Sequence, residues 1–234
     1  SGEKAEDPVF GVTDLLPHLA QEQMEKKGSV VVEGEALDVL CGNYPLTKED
    51  KESVKENVLA LLKEKYNIEE ADFLSAELIF VPAGRARELG FDRSMVLAYG
   101  QDDRVCSYTS LVAMLETKKV NRTACCLLVD KEEIGSVGAT GMQSRFFENA
   151  VAEVLNLMGE TSELAVRRTL ANSKMLSSDV SSAYDPLYAS AFDKKNVAYV
   201  GKGLVFNKFT GARGKSGSND ANAEYMGWLR RVMD

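Results

Sequence analysis

Three groups of carboxylates stand where the chain leaves apolar runs. Asp102 and Asp103 follow "LAYGQ", Glu132 and Glu133 follow "CLLVDK", and Asp179 follows "KMLSS". In an α/β sheet, ligands bind in the crevice beyond the carboxyl ends of the strands, so these groups could converge there. Convergent carboxylates repel one another, which raises their pKa values or calls for a cation, and a divalent metal is the usual answer. In the adjacent pair, one glutamate could bind metal while its neighbour stays free to take a proton from activated water. Each group also has a plainer reading. Acidic pairs at strand exits are commonly solvated loop residues or helix caps, and Asp102 with Asp103 would suit the N-terminus of a helix over 102–118. Pattern alone favours the plainer reading for each pair.

Two glycine-rich stretches accompany the carboxylates. "GSVGATG" lacks the spacing of a phosphate-cradling loop, so its glycines need only allow tight turns. "GARGKSGSNDANAE" puts Arg213 and Lys215 on a loop ahead of a helix N-terminus, where they could bind a carboxylate or nothing. The chain has a single histidine, His18. Histidine is the commonest metal ligand and general base, so a site here must run on carboxylates or be incomplete. The adjacent Cys125 and Cys126 lie inside an apolar run and are expected to pack in a core.

The elements that must position these residues have two rhythms. In the first part, "TDLLPHLAQEQMEKKG" is expected to be helical, with "SVVVEG" and "ALDVLCG" as short strands. "LTKEDKESVKENVLALLKEKY" places Val54, Val58, Leu61 and Leu62 on a charged background, an amphipathic helix over 47–66. "FLSAELIFVP" alternates like a half-buried strand and stops at Pro82. A domain boundary is expected near Gly90, dividing the chain into 1–90 and 91–234. Beyond it, continuous apolar strands alternate with helices, the pattern of a sheet covered on both faces. Strands are expected over 122–130, in "KMLSSDV" and in "NVAYVGKGLVF", and helices over 102–118, 141–158, 163–173 and the final "NDANAEYMGWLRRVMD".

The bulk composition narrows the function. A chain of 234 residues with 44% hydrophobic content can build a real core. Its net charge of −8, with 28 basic residues scattered among 36 acidic ones, argues against nucleic acid as a partner. Four cysteines without disulfide density or metal-finger spacing fit a reduced, cytoplasmic setting. No apolar run approaches the roughly 20 residues that span a bilayer, so no membrane partner is expected. A helix reaching the last residue, and a start just before "PVFGV", lead to the expectation of an internal piece of a longer protein.

The runs "GFDRSMVLAYGQDDRVCSYTSL", "LLVDKEEIGSVGATGMQSRFFENAVAEVL", "LANSKMLSSDVSSAYDPLY" and "YVGKGLVFNKFTGARGKSGSNDANAEY" resemble the aspartyl aminopeptidase (aminopeptidase I) family of zinc metallopeptidases in its bacterial form. The resemblance is ordered, spans most of 8–228 and includes "FGVTDLLPHLAQEQMEKK". It implies an α/β fold: part of a three-layer α-β-α zinc-exopeptidase catalytic domain over 91–234, with most of an inserted α+β dimerisation domain over 1–90. It implies removal of N-terminal, often acidic, residues from peptides by two zinc ions, with manganese or cobalt as substitutes. It also implies self-association, dimers building to a tetrahedral dodecamer.

Carried over by position, Asp103 would bridge the metals, Glu132 would be the general base, Glu133 a metal ligand, and Asp179 a ligand of the other metal. The metals would polarise the scissile carbonyl and acidify the bridging water, while Glu132 passes its proton toward the leaving amine. Lys202, Lys208, Arg213 and Lys215 are candidate substrate contacts. Two departures from the family stand out. The family supplies one histidine to each metal, from an early H-x-D segment and from a region near the C-terminus, and neither segment is present. Three carboxylates alone make an oxygen-only site suited to Mg²⁺, Mn²⁺ or loosely held Zn²⁺. Ser182 also stands where relatives can carry histidine. The expectation is therefore an aminopeptidase whose metal ligands are incomplete in this chain, which alone would be inactive. The alternatives are a homo-oligomeric assembly module using helix 47–66 and strand 74–82, and a related deacylase or carboxypeptidase.

Overall fold

A computed structural model describes residues 4–47, 52–207 and 221–234. The chain divides into two units, Ser1–Tyr99 and Gly100–Asp234. In the first unit, strand β1 (Gly11–Val12) pairs antiparallel with β2 (Val39–Leu40). Between them lies the short helix α1 (Gln21–Met24). The helix expected from "TDLLPHLAQEQMEKKG" is thus broken, because Pro17 occupies the start of a separate 3-10 turn, Pro17–Leu19. "SVVVEG" is not a strand: a 3-10 turn over Gly28–Val30 starts it.

Helix α2 (Ser53–Tyr66) is the amphipathic helix of the sequence, starting later than expected. Asn67 ends it in the left-handed conformation at φ 56°, its N–H donating to the Leu62 and Lys63 carbonyls. Val54, Val58 and Leu62 are half-buried, whereas Leu61 is exposed. At the start of α2, Ser53 is fully buried, and its Oγ accepts the Thr47 N–H at 2.5 Å. A hairpin of β3 (Arg87–Leu89) and β4 (Met95–Leu97) crosses Gly90, which turns at φ 91°.

The second unit is mainly helical. Its helices are α3 (Gln101–Glu116), α4 (Phe146–Leu157), α5 (Glu163–Ala171) and α6 (Ala223–Met233). Side chains cap two of them: Ser162 Oγ accepts the Leu164 N–H at 3.1 Å, and Asn222 Oδ1 accepts the Tyr225 N–H at 2.9 Å. Helix α6 docks on the segment before Asp179. The Tyr225 hydroxyl donates to the Met175 carbonyl at 2.8 Å, and Lys174 Nζ lies 4.0 Å from the Trp228 ring centre.

The expected central strands form no ladder among the described residues. No strand is assigned within 74–82, 122–130 or 174–180, and 196–206 contributes one parallel bridge, Ala183 to Ala198. A strand needs a hydrogen-bonded neighbour, and apart from that bridge the described residues pair only as two antiparallel two-stranded sheets. Burial follows the same logic. The buried apolar side chains among the described residues are Ala20 and Leu229, while Leu115, Leu157 and Phe91 stand open to solvent. Cys125, expected in a core, is exposed, and Cys126 is half-buried.

Candidate metal centre

Helix α3 starts irregularly, and its irregularity carries the site. Gly100 enters at φ 71°, and Asp102 and Asp103 then take non-helical angles before the regular turns begin. The peptide bond joining them is cis. Asp103 is half-buried, and its Oδ1 is fully buried with no hydrogen-bond partner. A carboxylate oxygen removed from water without a donor is costly, and a cation is the partner that would satisfy it.

One turn along α3, Cys106 faces the same carboxylate. Its thiol hydrogen-bonds the Asp103 side chain and the Ser178 hydroxyl, and it feels the charges of both Asp103 and Asp179. Burial pushes the Cys106 thiol up, and the bond to Asp103 adds to this, while Ser178 opposes it. Residues of two segments far apart in sequence, 103–106 and 178–179, thus act on one thiol. The Val180 N–H donates to Asp179 Oδ1 at 2.7 Å, which orients that side chain.

Glu132 and Glu133 occupy a 3-10 turn, Glu132–Ile134, whose ends are closed by Lys131 at φ 65° and Gly135 at φ 96°. The loop is pinned across its base. Asp130 N–H donates to the Thr140 carbonyl at 3.1 Å, Ser136 N–H to Lys131 O at 2.7 Å, and Gln143 Nε2 to Gly135 O at 2.6 Å. Gly141 makes this closure feasible, since a Cβ there would lie 2.2 Å from the Ser136 carbonyl oxygen. Both glutamates are exposed. Behind the loop, Cys126, Leu128, Val129, Met142 and Phe147 line a cleft of about 410 Å³.

The expected convergence is thus partial. The charges of Asp103 and Asp179 both act on the Cys106 thiol, but among the described residues no three of His, Cys, Asp or Glu are grouped to hold a metal ion. The donors fit a cation held through carboxylate oxygens and leave its shell incomplete. Lys202 is exposed, its N–H donating to the Tyr199 carbonyl at 3.3 Å. Lys208, Arg213 and Lys215 lie outside the described residues. His18 is exposed in its 3-10 turn. Cys106 and Ser178 were not expected as site residues. Their signal was proximity in sequence: Cys106 lies three residues after Asp103, and Ser178 immediately precedes Asp179.

The family model described as aminopeptidase I zinc metalloprotease (M18) matches residues 2–232. The chain belongs to the M18 family. It is 60% identical over 233 residues to a probable M18 family aminopeptidase 1 of Clostridium acetobutylicum, covering 99% of this chain and 50% of the relative. The crystal structure of aminopeptidase I from that organism matches with TM-score 0.84 at 59% identity, covering 100% of this chain and 50% of that one. A Thermotoga maritima M18 aminopeptidase structure matches with TM-score 0.84 at 42% identity, over 99% of this chain and 51% of that one. An aspartyl aminopeptidase 1 of Schizosaccharomyces pombe is 28% identical over 144 residues, 59% of this chain and 30% of that protein. The chain spans about half the length of the M18 aminopeptidase 1 relatives it matches.

Proposed function

We propose that this chain is the middle of a zinc-dependent aminopeptidase that removes N-terminal, preferably acidic, residues from peptides. The observation that carries the reading is the buried, unpartnered Asp103 Oδ1 at the irregular start of α3. Asp103 would bridge two zinc ions, Asp179 and Glu133 would each hold one, and Glu132 would be the general base. Zinc, when bound, supplies the Lewis acidity that activates water and polarises the scissile carbonyl. Glu132 takes the proton of the attacking water and returns it to the departing amine nitrogen. Its place on a loop pinned by Gly135 and Gln143 supports that role, because a general base must be held within reach of the proton it moves. Lys202, Lys208, Arg213 and Lys215 are the proposed substrate contacts. The acidic preference rests on the likeness to an aspartyl aminopeptidase.

In this reading, residues 91–234 belong to a three-layer α-β-α catalytic domain and 1–90 to an inserted dimerisation domain. The exposed apolar run 78–81 in the first unit supports self-association. The chain alone would be inactive, because the two histidine segments that would complete the ligand set are absent from it and its expected central strands form no ladder among the described residues. The test is peptide release by two proteins: this chain, and a hybrid in which it replaces the matching half of the C. acetobutylicum relative. The expected result is chelator-sensitive release from peptides with a free acidic N-terminus by the hybrid, and none by the chain alone. Turnover by the chain alone would overturn the inactivity. Cleavage of N-blocked peptides by the hybrid, or a folded, zinc-loaded hybrid without turnover, would overturn the activity itself.

A further inference from the structure

Behind the glutamate loop lies an apolar surface that the reaction does not use. Residues 123–129, "TACCLLV", run without helix or turn. Among the described residues their backbone bonds to no other backbone, and the first such bond comes after them, from the Asp130 N–H to the Thr140 carbonyl at 3.1 Å. Successive side chains of an extended segment point to opposite faces. Leu128 is 56% exposed and its neighbour Val129 44% exposed, so both faces stand open. Together with Cys126, Met142, Phe146 and Phe147 they line the cleft of about 410 Å³, which no charged side chain borders.

We propose that 123–129 is the acceptor for a β-strand from the half of the M18 protein that lies outside this chain, with apolar side chains of that half filling the cleft. Three observations support it. An extended apolar run with unpaired N–H and C=O groups is a template for strand addition. The run is apolar at adjacent as well as alternate positions, which suits a strand covered on both faces and not one left in water. The occupant is available: this chain covers 50% and 52% of two M18 relatives, so as much polypeptide again lies outside it. The folded chain also exposes 20753 Å², about twice the surface of a compact protein of 25.6 kDa, which leaves a large area for that half to cover. The inference rests on the family membership and is independent of the metal and base assignments.

Amide hydrogen exchange read by mass spectrometry tests it in three samples: the 234-residue chain, the chain co-expressed with the unmatched half of the C. acetobutylicum relative, and the hybrid that joins both halves. The expected result is a one-to-one complex, with amides of 123–129 exchanging about a hundredfold slower or more, in complex and hybrid, than in the chain alone. Leu127→Pro removes a ladder donor and should abolish that complex. It should leave the circular dichroism of the chain alone unchanged, because the segment pairs with nothing there. Fast exchange at 123–129 in the folded hybrid would overturn the proposal whether or not the hybrid turns over peptides. Slowing in the chain alone that grows with its concentration would give the segment to a second copy and also overturn it. A complex that survives Leu127→Pro with 123–129 still slow would overturn the pairing.

Discussion

Urea should unfold this chain with an unusually shallow slope. A compact monomer of 25.6 kDa exposes about 10,400 Å² of surface, and the unfolded chain about 37,000 Å². The folded chain exposes 20753 Å². Folding therefore removes only about three fifths of the surface that a compact protein of this mass removes. The dependence of unfolding free energy on urea scales with that area, so the m-value should be about 0.6 of the value for a compact protein of equal length. Circular dichroism gives the slope for the helices. Fluorescence of Trp228, the single tryptophan, gives it for the docking of α6. Open apolar side chains such as Leu115 and Leu157 should also bind an apolar dye before any urea is added. A slope typical of a compact protein of this length, without dye binding, would refute the reasoning.

Three further perturbations probe separate parts of the account. Gly141→Ala would drive a Cβ into the Ser136 carbonyl, so the loop bearing Glu132 and Glu133 must reopen; a loss of turnover in the hybrid of about tenfold or more, ~1.4 kcal/mol, is expected from steady-state kinetics. Tyr225→Phe removes the hydrogen bond to the Met175 carbonyl and should lower the stability read at Trp228 by about 0.5–1.5 kcal/mol, measured by urea titration. Asp193 accepts the Lys195 N–H at 3.0 Å and Asn196 Nδ2 at 2.6 Å, and these bonds hold its carboxyl below the ordinary 3.8, the backbone bond most strongly. A depressed carboxylate adds stability above the unfolded value and loses it as pH falls through the folded one, so the turn over 193–196 should loosen only below about pH 3.8. An NMR titration of Asp193 midway above 3.8 would contradict this.

What the sequence disclosed depended on how local the cause was. Helices α2 to α6 were legible because the periodicity that makes them acts within a turn or two. The amphipathic stripe Val54, Val58 and Leu62 held, while Leu61 faces solvent because nothing among the described residues covers it. The strands over 122–130 and 174–180 were read from apolar content alone. That content reports burial in a sheet and not the presence of the neighbouring strands that complete it. At the site, the carboxylates were read as strand-end residues, whereas Asp103 stands in the irregular start of α3 and Asp179 follows a segment with no assigned strand. That irregular start escaped notice because a backbone departure at Asp102 and Asp103 has no composition signature.

The central claim is a division of labour between adjacent glutamates, and zinc content measured beside turnover tests it. In the hybrid with the C. acetobutylicum relative, Glu132→Gln should keep its zinc and lose about 10²–10⁴-fold in turnover. Glu133→Gln should lose zinc as well as turnover. Wild-type turnover in Glu132→Gln, or loss of zinc from it, would contradict the assignment of Glu132 as the base and Glu133 as the ligand.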